Sequence, residues 1–227
     1  MKDFDTFLIE SGVVGFKDDS ITLKSGKISY WYANCRNLSK NFSTLETTAY
    51  VVVDFIQKNN LLDGSIDAVL GVCEGATLLG YEVHRKLVKE SFITDSIFLP
   101  RVKTKEHGDI ANKYWTTGIV PKKVIVIEDV TTTGGSAISF CKNLRDSGVE
   151  VACVVGLINR MQLDNGKTVV DSFKENLLTY YNVTDAQNIL SRLVATEQND
   201  ERREKMRTTI NKEYKTEYGE NTPPVSL

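Results

Sequence analysis

Val124-Ile125-Val126-Ile127-Glu128-Asp129-Val130-Thr131-Thr132-Thr133-Gly134-Gly135-Ser136 is the most informative stretch of the chain. Its four β-branched apolar residues form the short continuous run expected of a strand buried on both faces of a parallel sheet. Glu128 and Asp129 stand where that strand leaves the sheet, and a small polar loop, Thr131 to Ser136, leads into the helical pattern of Ala137 to Leu144. In open α/β sheets, ligands bind outside the carboxyl ends of the strands.

Each residue type here has a physical task. Small residues let backbone N–H groups approach a phosphate, hydroxyls add donors, and a following helix N-terminus favours negative charge. The neighbouring acids would repel that phosphate unless the ligand also offers hydroxyls for them to accept. A ribose 5-phosphate with free 2- and 3-hydroxyls meets both conditions. A strand, an acidic turn and an N-capped helix with no ligand is the plainer alternative. Two adjacent carboxylates at a strand end repel each other unless something binds them, which argues against it.

The stretch resembles the phosphoribosyl pyrophosphate motif of type I phosphoribosyltransferases: apolar strand, two acids, Thr/Gly loop. By that resemblance Glu128, Asp129, Val130, Thr131, Thr132, Thr133, Gly134, Gly135 and Ser136 bind phosphoribosyl pyrophosphate.

Working outward, 227 residues with 41% hydrophobic and 26% charged content suffice for one globular domain with some excess length. The net charge of -2, with cations and acids interleaved, provides no general attraction for nucleic acid. Four cysteines, Cys35, Cys73, Cys141 and Cys153, have no C-x-x-C spacing, and the chain has two histidines. They read as reduced thiols of a cytoplasmic protein rather than a zinc site. No apolar run is long enough to span a bilayer, so no membrane partner is expected. A Walker A loop fails because Tyr81 follows Gly80 where Lys is required.

Toward the N-terminus, Asp3 to Ser11 reads as a short amphipathic helix. Ile21 to Asn34 reads as a hairpin turning at Ser25-Gly26. The order Leu23 to Lys27, then Ser29 to Asn34, resembles the N-terminal part of orotate phosphoribosyltransferases. By that resemblance Lys24 reaches phosphoribosyl pyrophosphate, while Tyr32 and Ala33 line the place of the pyrimidine ring, Ala33 where the family often has a second aromatic.

Asn41 to Asn60 has a helical period, with Ser43 or Asn41 as N-cap, and Ile66 to Gly71 is the next buried strand. A second glycine-bounded loop follows, Gly71 to Thr77, opening onto a helix. The family uses this loop for the pyrophosphate, which brings in Cys73 and Glu74, the latter where a Lys is common. Ser96 to Leu99 reads as a further strand. From Val102 to Val120 neither period holds, and a loop of that length in a small domain is usually functional or disordered.

Arg101 stands just before this long loop, which carries Lys103, Lys105 and His107. Cations closing over the site would stabilise the charge gathering on a pyrophosphate leaving group and exclude water. Lys105-Glu106-His107-Gly108 resembles the flexible loop of orotate phosphoribosyltransferases, which implies that Arg101, Lys105 and His107 contact pyrophosphate, with Asp129 completing the catalytic set. It also implies a homodimer sharing the loop across its interface. Val102 stands where the family has a second Lys, and Lys103 comes one residue later.

Gly148 reads as a helix C-cap before the strand Val151 to Ile158, with Arg160 at its carboxyl end. The family has an Arg there to hold the orotate carboxylate, and a planar guanidinium can do so bidentately; Thr132 would touch both phosphate loop and base. Thr168 to Lys174 looks helical, Leu177 to Tyr181 reads as the last strand, and Thr184-Asp185-Ala186 caps a helix to about Val194. Glu197 to Lys215 is densely charged, with Met206, Ile210 and Tyr214 in one row, and reads as a solvated helix docking one narrow stripe.

The expectation is therefore an α/β chain of the type I phosphoribosyltransferase fold, a parallel sheet flanked by helices with a small N-terminal hood. Residues 1–195 form the phosphoribosyltransferase domain and 196–227 a charged helix and tail. The activity implied is transfer of ribose 5-phosphate to orotate, with magnesium held mainly by the substrate rather than by protein ligands. A purine-base transferase and a regulator that senses phosphoribosyl pyrophosphate without catalysis are the competing readings.

Overall fold

The structure, a computed structural model, describes residues 3–23 and 25–219. Its centre is a four-stranded parallel sheet in the order β3 (Ala68–Gly71), β4 (Lys123–Thr131), β5 (Glu150–Asn159) and β6 (Tyr180–Asp185). Val124, Ile125, Val126 and Ile127 are fully buried. Their side chains alternate between two cores, Ile125 and Ile127 on one face, Val124 and Val126 on the other. Removing each from water contributes about 1.5–3 kcal/mol.

The first face carries α2 (Phe42–Lys58), α3 (Thr77–Lys89) and α7 (Ala186–Thr196), whose Val52, Val83 and Ile189 enter the same core. The second face carries α5 (Gly135–Asp146) and α6 (Val169–Glu175) through Cys141 and Phe173. Starts are set by side-chain caps: Asn41 accepts the Thr44 N–H, Thr168 and Asp171 form a reciprocal capping box, and Asp185 accepts the Asn188 N–H.

A hood stands over the carboxyl edge. Helix α1 (Phe4–Glu10) leads into an antiparallel hairpin of β1 (Val14–Thr22) and β2 (Ile28–Ala33), followed by a 3-10 turn over Cys35–Lys40. Helix α8 (Asp200–Tyr218) lies on this hood. Its charged surface faces solvent, and Met206, Ile210 and Tyr214 are buried in the core that also holds Trp31.

Three segments depart from the sequence expectation. Ser96 to Leu99 is not a strand. Ile97 and Leu99 are exposed, and pairing is confined to an isolated bridge between Pro100 and Trp115, flanked by the Thr116 N–H donating to the Leu99 carbonyl and the Arg101 N–H donating to the Tyr114 carbonyl. The long loop contains a short helix, α4 (Ile110–Tyr114), capped by Asp109. The last strand starts at Tyr180 instead of Leu177, because Leu177, at φ +57°, belongs to the turn that ends α6. Arg145 fastens that turn by donating to the carbonyls of Asn176 and Leu177. Among the described residues no helix is long and apolar enough to cross a membrane.

Candidate active site

The carboxyl ends of β3, β4 and β5 meet the hood around a cleft of about 730 Å³. Its floor comes from the loop at the end of β4: Glu128, Asp129, Val130, Thr131, Thr132, Thr133, Gly134, Gly135 and Ser136 all line it. The acids differ in setting. Glu128 is buried and its Oε1 accepts the Asp129 N–H at 3.2 Å, whereas half-buried Asp129 uses Oδ1 to accept the Val130 N–H at 2.8 Å.

The loop then turns into α5 at Gly134, which has φ +89°. A side chain there would be strained, and its Cβ would come within 2.7 Å of the Phe173 ring. Gly135 has open space around its Cα and Ser136 is exposed, so the first turn of α5 presents its N–H groups to the cleft unobstructed.

The loop after β3 forms the opposite lip through Val72, Cys73, Glu74 and Gly75. Gly71 and Gly80 press together, a Cβ on Gly80 falling 2.2 Å from the Gly71 nitrogen, and this draws the lip close to the sheet. Burial raises the Cys73 thiol above its ordinary range, against a hydrogen bond with Thr77. Cys35, from the 3-10 turn, donates its thiol to the Asp129 carbonyl at 3.7 Å. Burial holds its pKa well up, with the Asp129 and Glu128 charges adding to the effect.

The far wall is Arg160, just past β5, held in place by its N–H donating to the Thr131 carbonyl. The residue is 3% exposed, and its guanidinium lies 3.7 Å from the Trp31 ring centroid and donates from Nη2 to Ser29 Oγ at 2.8 Å and the Trp31 carbonyl at 3.3 Å. Its Nε has no hydrogen-bond partner. Among the described residues no carboxylate comes within ion-pair distance of it. Burial lowers its pKa, though a guanidinium stays charged at neutral pH.

Strand parity distributes the hood residues. Ser29, Trp31 and Ala33 share the face turned to Arg160 and the cleft, and Ala33 lines it. Tyr32 is on the other face, packed over Gly15 with Lys17 Nζ 5.3 Å from its ring centroid, and is not among the residues lining the cleft. Lys24 lies outside the described residues.

Leu23, Ser25, Asn34, Cys35 and Arg36 also line the cleft and were not singled out from sequence. Arg36 is the exposed cation among them. A basic residue two places after an Asn carries no signal of its own. Only the fold of the hairpin brings it here.

The basic loop folds back on α4 instead of covering the cleft. Arg101 donates from Nε to the Asn112 carbonyl at 3.1 Å, and the Lys105 N–H donates to the Lys113 carbonyl. Val102 reaches the cleft, while Arg101 and Thr104 border a neighbouring cavity of about 250 Å³ that shares Cys73 and Ser136 with it. Lys103, Lys105 and His107 are exposed and line neither.

The arrangement can take an anion at the α5 N-terminus, hydroxyls at the acid pair and a second anion at Arg160. Asp129 borders the cleft beside Gly75, and among the described residues no group of three or more His, Cys, Asp or Glu is placed to hold a metal ion.

Comparison with known proteins identifies the family. The phosphoribosyl transferase domain family matches residues 47–185. The chain is 30% identical over 181 residues to an orotate phosphoribosyltransferase of Rhodopseudomonas palustris (strain BisB5), covering 78% of this chain and 90% of that protein. It is 33% identical over 164 residues to the orotate phosphoribosyltransferase of Pyrococcus horikoshii, covering 70% and 80%. The crystal structure of the Aeropyrum pernix orotate phosphoribosyltransferase superposes with a TM-score of 0.64 at 23% identity, covering 86% of this chain and all of that one, which supports the fold. With its parallel sheet, its acid pair and its Thr/Gly loop at the end of β4, the chain belongs to the phosphoribosyltransferase family, on the orotate phosphoribosyltransferase branch.

Proposed function

We propose that the protein transfers ribose 5-phosphate from phosphoribosyl pyrophosphate to orotate, giving orotidine 5-phosphate and pyrophosphate. The ring nitrogen of the base attacks the anomeric carbon and loses its proton, while the carbon–oxygen bond to pyrophosphate breaks and the leaving group takes both electrons. The observation that carries the substrate assignment is Arg160, a buried cation on the cleft wall with no carboxylate partner among the described residues. A base bearing a carboxylate supplies the missing partner. A purine base does not.

The remaining roles follow from position. The N–H groups of the Thr131–Ser136 loop and the hydroxyls of Thr132, Thr133 and Ser136 hold the 5-phosphate, and Glu128 and Asp129 accept from the ribose hydroxyls. Magnesium, carried in on the substrate, screens the pyrophosphate. Arg36 extends from the hood toward the phosphates, where Glu74 cannot attract them. Catalysis is positional and electrostatic, with no covalent nucleophile.

The lid is Arg101 to Gly108. We take the working form as a homodimer in which this loop closes over the partner's cleft. Leu78, Tyr81, Leu99 and Ile119 are exposed apolar side chains that such an interface would cover. The four free thiols suit a cytoplasmic setting. The substrate assignment is tested by Arg160→Ala. Loss of orotate turnover, by about two orders of magnitude in kcat/KM, is expected for a buried charge-assisted pair. Full activity with orotate would contradict it and favour a base without a carboxylate.

A further inference from the structure

Helix α8 lies outside the matched family segment at 47–185, and none of its residues lines the cleft. Its polar side chains nonetheless converge on the wall that carries Arg160. Glu213 Oε2 accepts the Tyr30 N–H of β2 at 2.9 Å, and the Tyr214 hydroxyl donates to the Arg160 carbonyl at 2.9 Å. Adjacent residues on one helix thus grip the strand that bears Ser29 and Trp31, and the backbone of the arginine those two residues hold.

The rest of the helix reinforces the same grip. Glu217 accepts from Lys27 Nζ and from the Leu163 N–H, and the Tyr218 hydroxyl donates to the Met161 carbonyl. Arg202 and Lys205 reach Asp18 of β1 at 2.9 and 2.8 Å. Both hood strands and the segment after Arg160 are therefore fastened to one rigid rod. Burial of the Tyr214 ring at 2% exposure fixes its angle.

The electrostatics are consistent with this geometry. Glu213 is near enough to Arg160 to act on it through space, while the hydrogen bonds at Arg160 itself go to neutral acceptors, Ser29 and Trp31. A carboxylate in direct contact would compete with a ligand carboxylate. One held a step away, on the Tyr30 N–H, orients the shelf and leaves the guanidinium its free bonding capacity.

We propose that Glu213 and Tyr214 are positioning residues for the base, setting the spacing of Arg160 against the Ser29–Trp31 shelf so that it selects a base carrying a carboxylate. The inference rests on the reading of Arg160 as the orotate-binding cation. It makes the C-terminal helix part of the substrate specificity of the enzyme.

The test uses full-length Glu213→Ala, Glu213→Gln, Tyr214→Phe and Arg160→Ala, with KM measured separately for orotate and for phosphoribosyl pyrophosphate and Tm recorded for each. Glu213→Ala is expected to raise KM for orotate about tenfold and leave KM for phosphoribosyl pyrophosphate within about twofold. Glu213→Gln, whose amide oxygen can still accept the Tyr30 N–H, restores most of that loss. Tyr214→Phe keeps the buried ring and raises orotate KM about threefold to tenfold, and it decides the matter should Glu213→Ala fail to fold. Equal rises in both KM values, or a Gln variant no better than Ala, overturn the proposal. Arg160→Ala separates the two levels. If it leaves orotate KM unchanged, the reading of Arg160 fails and the positioning role falls with it; if it raises orotate KM while Glu213→Ala and Tyr214→Phe do not, only the role of α8 is refuted.

Discussion

Gly75 and the Asp129 carboxylate stand in direct apposition across the cleft: a Cβ on Gly75 would lie 2.3 Å from Asp129 Oδ2. Nothing larger than hydrogen fits there without turning the carboxylate. Asp129 is short and already bonded through Oδ1 to the Val130 N–H, so it can turn only by breaking that bond. Gly75→Ala is therefore expected to cut kcat/KM by about a hundredfold, since small displacements at a reacting centre are that costly, with Tm changed little. Steady-state kinetics beside a thermal melt checks it.

The two glycines of the phosphate loop separate conformational from steric demands. Gly134→Ala meets both a positive φ and the Phe173 ring, and is expected to cost about 2–5 kcal/mol of stability. Gly135→Ala meets open space at the first helical position and is expected to stay within about 0.5 kcal/mol of the parent. Denaturant melts of the pair measure the difference, and equal losses would contradict the structure.

His84 gives the fold a pH dependence of definite sign. Its Nδ1 accepts the Val69 N–H at 3.2 Å and its Nε2 faces the Ser96 carbonyl at 2.9 Å, so the neutral ring serves both partners. Burial lowers its pKa, with the Ser96 carbonyl and Asp95 opposing. The unfolded chain takes up the proton near pH 6.5 and the folded chain only at lower pH. The neutral-ring contribution is thus intact above about pH 6.5 and lost as pH falls through the folded value, each tenfold difference in proton affinity between the two states being worth about 1.4 kcal/mol. With two histidines in the chain, ring-proton NMR resolves the titration, and a His84 midpoint above 6.5 would contradict the buried neutral ring.

The lid should affect turnover and not folding. Lys105 and His107 are exposed, and their side chains make no contact with the cleft in this conformation. Lys105→Ala is expected to lower kcat about a hundredfold with Tm unchanged, the size typical of one charge-stabilising group. Mixing it with a cleft variant such as Asp129→Asn should recover part of the activity if the loop serves the partner's cleft. No recovery in mixed dimers would place the loop over its own.

Sequence exposed those parts of the molecule whose cause is local. Val124 to Ile127 are apolar without interruption because both faces of β4 are covered, and the acids, threonines and glycines that follow have chemistry written in their types. Arg160 on Trp31 is not visible that way, because the pair spans two elements far apart in the chain and depends on the parity of β2. The same parity, fixed by hairpin register, puts Tyr32 over Gly15 and away from the cleft. Ser96 to Leu99 has the composition of a strand, yet it meets a partner only at its end, where the Thr116 N–H donates to the Leu99 carbonyl, and no ladder forms. The row Met206, Ile210 and Tyr214 announced that α8 docks somewhere; only the assembled hood shows that it docks behind Arg160.

The central claim is that this cleft joins a carboxylate-bearing pyrimidine to ribose 5-phosphate. The most direct measurement is a spectrophotometric assay of base consumption with phosphoribosyl pyrophosphate and magnesium, run with orotate, uracil, adenine and hypoxanthine. Orotate should be consumed with release of pyrophosphate, and uracil, which lacks only the carboxylate, should react at least about a hundredfold more slowly. Orotate left untouched while another base reacts would contradict the account.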